Sequence, residues 1–244
     1  MTAPPIIIQQ PASQAQQLVL LFHGWGSSAA SMLPLGERLA SAFPNAMVVA
    51  VNAPDAAAGQ PPGSSAYQWF SVQGVTEENR QARVDAAMPA FVACVEHWQA
   101  ETGVPAEATA LIGVSQGAIM ALEASKLAAP MHDAVQTKLL FGRMLSICGR
   151  FATLPGAVAE NVTIHLLHGK DDTVIPYSHT VNAAHHLRDL GGDVTAEVLP
   201  FIGHEIHPEF IELAVSKLSS HIPHRVWAKA LAEQNSTSET PKTS

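Results

Sequence analysis

Only two cysteines, Cys94 and Cys148, occur in 244 residues. They lie 54 positions apart (148 − 94), one in a helical pattern and one in a strand-like run, and neither belongs to a metal-ligand spacing. That excludes a disulfide scaffold and a zinc module, and both are read as reduced core thiols. Basic residues are scarce too, 13 Lys and Arg against 21 Asp and Glu. They are scattered rather than clustered, so no basic face is available to neutralise a phosphate backbone, and nucleic acid is excluded as a partner. Long apolar runs are missing as well. The first sixteen residues, MTAPPIIIQQPASQAQ, hold no Lys or Arg and only the run Ile6 to Ile8, which excludes a signal peptide and a membrane span and makes the cytoplasm the expected location. There is no internal repeat and no low-complexity linker in the body of the chain.

What remains is a chain with 47% hydrophobic residues, enough for a sizeable core. Apolar strand-like runs alternate with helical ones. The strand candidates are Leu18 to Phe22, Ala46 to Asn52, Ala110 to Val114, Met144 to Cys148, Thr163 to Leu167 and Val194 to Leu199. Mostly continuous apolar strands between helices imply a parallel α/β sheet covered on both faces. In the helix near Arg80 to Gln99, Val84, Met88, Phe91, Val95 and Trp98 form one buried stripe, and Pro89 predicts a kink or break. His179 to Leu190 reads as a second amphipathic helix, stopped by a left-handed cap at Gly191 and Gly192. The expected organisation is a flexible segment 1–16, one domain over 17–231 and a disordered tail over 232–244.

The stretch ALIGVSQGAIM, Ala110 to Met120, sets Ser115 between Gly113 and Gly117. A bare G-x-S-x-G arises by chance in roughly one chain in ten of this length. Here, however, a buried strand precedes the serine and a helix-forming run follows it, the strand–elbow–helix arrangement that exposes a nucleophilic hydroxyl. Flanking side chains would collide with strand and helix, so glycine is required on both sides. A nucleophilic serine also needs a base oriented by a carboxylate, and in an elbow both follow it in the chain. LLHGKDDTVIP, Leu166 to Pro176, supplies Asp171 and Asp172 at a strand end, and VLPFIGHEIHPE, Val198 to Glu209, supplies His204 and His207.

The blocks LLFHGWG, QWFSVQGVTEENRQARVDAAMPAF, ATALIGVSQGAIMALE and the later HG and GHEI turns resemble the phospholipase/carboxylesterase family of α/β-hydrolases, which includes the acyl-protein thioesterases. The resemblance runs roughly from Leu18 to His221. It implies a three-layer α/β/α fold with a mostly parallel central sheet. The family's H-G-x-x-D-x-x-V-P pattern falls on His168, Gly169, Asp172 and Pro176, with Ile175 in place of valine, and favours Asp172 over Asp171. Its Gly-His turn matches Gly203 and His204. Its oxyanion hole implies the backbone N–H groups of Gln116 and Trp25. Ser27 and Ser28 stand where thioesterase relatives often carry an aspartate.

The function so implied is a serine hydrolase cleaving small acyl esters or thioesters, with Ser115 as nucleophile, His204 as base and Asp172 as its orienting acid, and with no metal or organic cofactor. The other reading is an idle scaffold of this fold that binds a ligand or a protein. His23 and His168, each before a glycine at a strand end, are read as loop-fixing residues. Trp69 and Phe70 are either anchors of their loop or walls of an acyl pocket. Only GRFATLPGAVAENV separates the strand at Met144 from that at Thr163, too short for a lid domain, so the loop from Pro54 to Gly74 is expected to border a shallow apolar cleft beside Ser115. The oligomeric state is not legible.

Overall fold

A computed structural model describes residues 4–61, 63–129, 137–223 and 225–226. Chain order gives β1 (Ile6–Gln9), β2 (Gln17–Phe22), α1 (Leu33–Ala42), β3 (Ala46–Val51), β4 (Asp55–Ala56), β5 (Tyr67–Gln68), α2 (Glu77–Thr102), β6 (Thr109–Val114), α3 (Gln116–Ser125), β7 (Arg143–Ile147), β8 (Thr163–Gly169), α4 (Ser178–Asp189), β9 (Asp193–Leu199) and α5 (Pro208–Ser220). The main sheet has seven strands in the order β1-β3-β2-β6-β7-β8-β9; β4 and β5 make a separate two-stranded ribbon. Every pairing from β3 through to β9 is parallel, and β1 alone runs antiparallel at the edge.

The two sheet faces are read directly from strand alternation. Leu18, Leu20 and Phe22 of β2 join a core with Val84, Phe91, Val95 and Trp98 of α2, Ile119 and Met120 of α3, and Leu187 of α4. Val19 and Leu21 point the other way, into a core with Leu35 and Leu39 of α1 and Phe210 and Ala214 of α5. Two residues per pleat period thus serve two helical layers, which is why these strands are apolar throughout. The result is the three-layer α/β-hydrolase architecture expected from the sequence. Between β7 and β8, residues 148–162 form turns and no lid domain.

Two expectations need correction. The segment 1–16 is not uniformly flexible: Ile6–Gln9 pairs with β3, Ile6 opposite Ala50 and Ile7 opposite Val49. Pairing to a strand some forty residues away leaves no local signature. Of the kink or break expected at Pro89, the break does not occur, because α2 is continuous from Glu77 to Thr102. The amide that proline lacks would have met the carbonyl of Asp85, and both residues are exposed, so that carbonyl is left open to solvent while Val84 and Phe91 are buried on either side. The cap after α4 forms as expected, with Gly191 at φ +83° and the Gly192 amide donating to Leu187. The tail 232–244 lies outside the described residues. Among the described residues, no helix is long and apolar enough to cross a membrane.

Candidate active site

Parallel strands deliver their following loops to one edge of the sheet, where α/β folds gather their ligand-binding loops. Ser115 follows β6 directly, at φ 53° and ψ −114°. This is a strained backbone for a residue with a side chain, and the contacts around it hold it there. The Ser115 amide donates to the carbonyl of Ile147 (2.9 Å), and its carbonyl accepts from Ile119 (3.0 Å). The flanking glycines are sterically required: a Cβ on Gly117 would lie 2.2 Å from the Phe22 carbonyl oxygen, and one on Gly113 2.4 Å from the Ala118 nitrogen.

Asp172 sits three residues beyond β8, buried, whereas Asp171 beside it is exposed. The Asp172 Oδ1 accepts the amides of Val174 (2.8 Å) and Ile175 (2.9 Å). Its Oδ2 accepts Nδ1–H of His204 at 2.7 Å. Burial pushes this carboxyl up, but the hydrogen bonds from His204, Ile175 and Val174 together more than reverse that and hold it below the usual aspartate value. His204 lies in the turn after β9, its side chain 20% exposed. His207 stands apart as the N-cap of α5, where its Nδ1 accepts from the Glu209 amide. Neither Ser115 Oγ nor His204 Nε2 has a hydrogen-bond partner among the described residues.

The loop after β2 approaches the serine closely. A Cβ on Gly24 would lie 3.1 Å from Ser115 Cβ and 3.7 Å from its Oγ. The next amide in that loop belongs to Trp25 and the first amide past the serine to Gln116. The latter opens α3, where the first-turn N–H groups have no partner within the helix. No acceptor for the Trp25 amide is recorded among the described residues. The Trp25 indole is partly exposed and donates to Gln68 Oε1.

His23 and His168 fix loops, as their positions suggested. The Nδ1–H of His23 donates to Gly24 (2.7 Å) and its Nε2 accepts from Ala53 (3.0 Å). Burial, against the Gly24 hydrogen bond, lowers its pKa. His168 Nε2–H donates to Ile175 (2.8 Å), and Nδ1 accepts from Thr180 (2.7 Å). That same Nε2 also lies 3.1 Å from Asp172 Oδ2, a contact with the acid that sequence reading missed. Cys148 completes the surroundings. Its Sγ, Asp172 and His168 lie within 4.8 Å of one another, a grouping with metal-like chemistry. Burial pushes the Cys148 thiol up to about 12 and its S–H donates to the Gly203 carbonyl, while the His168 nitrogens are taken up by Ile175 and Thr180 and the carboxylate by His204, Val174 and Ile175, so these atoms are already partnered within the protein.

Trp69 and Phe70 are both almost fully buried. The Trp69 ring packs edge-on against Phe22 and Phe91 and beside His23, and its Nε1 donates to the His23 carbonyl (2.9 Å). Gln116 ties the loop down: its Oε1 accepts the Trp69 amide (2.8 Å) and its Nε2 donates to Phe70 (2.7 Å). Both aromatics border a largely apolar cavity of about 840 Å³ between α2 and the loop after β3, but Ser115, Asp172 and His204 are not in its lining. Of the two roles left open for Trp69, these contacts describe the anchor.

Comparison with known proteins identifies the family and the fold. The profile of the family described as Phospholipase/Carboxylesterase matches residues 4–222. The chain is 45% identical over 226 residues to Esterase YpfH of Escherichia coli (strain K12), covering 93% of this chain and 92% of that one. It is 24% identical over 223 residues to Acyl-protein thioesterase 1 homolog 1 of Dictyostelium discoideum, covering 88% and 95%. The crystal structure of esterase PE8 superposes with a TM-score of 0.72 at 28% identity, covering 91% of this chain and 99% of that one. The chain belongs to the phospholipase/carboxylesterase family of α/β-hydrolases and is a carboxylic ester hydrolase.

Proposed function

We propose that the protein hydrolyses small acyl esters or thioesters by a Ser115–His204–Asp172 triad through an acyl-enzyme. The observation that carries this reading is the 2.7 Å hydrogen bond from His204 to a buried carboxylate, at the same sheet edge as a serine in a strained elbow. With Nδ1–H donating to Asp172, the free ring nitrogen is Nε2, the acceptor a serine proton requires. Ser115 Oγ attacks the acyl carbonyl and passes its proton to His204. The tetrahedral oxyanion meets the amides of Trp25 and Gln116. His204 then protonates the leaving alkoxide or thiolate, and water, deprotonated by His204 in turn, releases the acid. Asp172 stabilises the imidazolium in both halves.

The test is covalent labelling with a fluorophosphonate, read by peptide mass spectrometry, beside turnover of esters and thioesters of graded chain length. Labelling is expected at Ser115 alone, and Ser115→Ala should abolish it and lower kcat at least about a thousandfold. Modification of another residue, or turnover that survives Ser115→Ala, would overturn the assignment; a folded protein that neither labels nor hydrolyses any ester would mark an idle scaffold.

A further inference from the structure

Positive charge collects where the segment after β7 meets the start of α2, in a way the proposed triad does not use. Arg150 lies three residues past Ile147, whose carbonyl holds the Ser115 amide. At 3.8 Å per residue, its Cα lies within about 11 Å of that of Ile147. On the other side, Trp69 and Phe70 are clamped to Gln116, and the chain runs from them into the first turn of α2, which carries Glu77 and Arg80. The two arms meet. Arg150 Nη1 and Nη2 grip the Glu77 carboxylate at 3.0 and 2.6 Å, and Arg80 Nη2 reaches the same group at 2.9 Å. At the start of α4, just past the Asp172 loop, the pKa of His179 is lowered, by burial first and then by the Arg150 charge, with Glu77 opposing.

The charge count is uneven: two guanidiniums share one carboxylate. The arginine side chains are only 17% (Arg80) and 12% (Arg150) exposed, whereas that of Glu77 is 62% exposed. The Nε of Arg80 is buried without a hydrogen-bond partner among the described residues. An unsatisfied buried donor is costly, and a salt bridge to an exposed acid contributes little to stability, so a loop staple alone explains this arrangement poorly. The Glu77 carboxylate, held by the fork of Arg150 from the solvent side, occupies the position an incoming anion would take.

We propose that Arg80 and Arg150 form a carboxylate-binding subsite at the rim of the Ser115 site, so that preferred substrates are esters or thioesters bearing a second, free carboxylate. This rests on Ser115 being the nucleophile. Glu77 then acts as an internal competitor that keeps the guanidiniums paired when the site is empty.

The test compares kcat/KM for p-nitrophenyl valerate and for its carboxylated counterpart, p-nitrophenyl hemiglutarate. The wild-type protein should prefer the charged ester about tenfold or more. Arg150→Gln and Arg80→Gln should each lower that ratio about tenfold, and Glu77→Gln should raise it, a sign that loss of a mere staple would not produce. A wild-type ratio of one or less, or a ratio unmoved by all three substitutions, overturns the subsite. Glutarate binding to Ser115→Ala, measured by calorimetry, reads the subsite without turnover: binding that Arg150→Gln weakens about tenfold is expected, and no binding refutes it. Hydrolysis of both esters by Ser115→Ala would instead refute the nucleophile.

Discussion

Asp172→Asn tests the proposed triad at the atom where its geometry is tightest. The Oδ1 of Asp172 accepts two backbone amides, from Val174 and Ile175. These donors fix which end of an asparagine side chain must be oxygen, so the new NH₂ group is forced into the Oδ2 position. That position lies 2.7 Å from His204 Nδ1 and 3.1 Å from His168 Nε2. His168 cannot adapt, because its Nε2–H already donates to Ile175 and its Nδ1 accepts from Thr180. His204 must then turn Nδ1 into an acceptor and carry its proton on Nε2, the wrong tautomer for accepting a proton from Ser115. An acid-to-amide exchange that reverses the tautomer while preserving shape costs about 10⁴-fold in kcat, or about 5.5 kcal/mol of transition-state stabilisation. KM should change little, and fluorophosphonate labelling of Ser115 should slow in parallel with kcat. Asp171→Asn, on the exposed neighbour, is the control and should retain turnover. A loss below tenfold in Asp172→Asn, or a larger loss in Asp171→Asn, would refute the reasoning.

Trp69→Ala should cost about 3–5 kcal/mol of stability through lost packing against Phe22 and Phe91, and should lower kcat/KM equally for acetyl and longer acyl esters; a loss that grows with chain length would put the ring in the acyl site. Gly117→Ala sets a methyl 2.2 Å from a backbone carbonyl of β2, so its melting temperature should fall by at least about 4 °C with activity falling alongside; calorimetry showing an unchanged transition would disprove the close approach. His165 is fully buried and its pKa is lowered to about 3, by burial first and then by the charges of His221, Arg143 and Lys217. The unfolded chain takes up that proton near pH 6.5 and the folded one does not, so stability falls as pH drops from about 6.5 toward 3, by up to about 1.4 kcal/mol per pH unit. Urea unfolding of His165→Leu should therefore lose less stability between pH 7 and pH 5 than the wild type, and an equal loss would contradict the assignment.

The residues legible from sequence are those whose role is set within a few positions of themselves. Gly113, Ser115 and Gly117 announce the elbow because the strand before and the helix after are both local patterns, and the collisions that demand glycine involve the elbow's own neighbours and β2. The five inner strands of the sheet are legible because burial on both faces forces apolar runs, while β9, at the other edge, shows only the run Val194 to Leu199. Edge strand β1 escapes the same logic. Its three isoleucines are too few to call a strand without β3 beside them. The tiny ribbon of β4 and β5 escapes it as well, being held through Gln68 and the backbone bridge of Ser27 to Tyr67 rather than by a hydrophobic face.

The choice between Asp171 and Asp172 shows where local pattern stops. Adjacent in sequence and identical in chemistry, the two differ only in what reaches them. Asp171 is tied by its own amide to Ile202 and leaves its side chain in water. Asp172 turns inward toward amides two and three residues ahead, a histidine on the preceding strand and a histidine thirty-two residues later. A family pattern can single out one aspartate, but only the converging loops explain its burial: a carboxylate buried against Cys148 would be costly unless several donors compensated for the lost water. Gln116 follows the same rule from the other direction. The sequence marks its amide only as the proposed oxyanion donor, while its side chain, strapping Trp69 and Phe70 across 47 and 46 residues of chain, leaves no local pattern. Since that strap ends where the loop toward Glu77 and Arg80 begins, the proposed carboxylate subsite is hinged on the residue next to the nucleophile. Loosening Gln116 should therefore disturb charged and neutral esters together, whereas altering Glu77 should separate them.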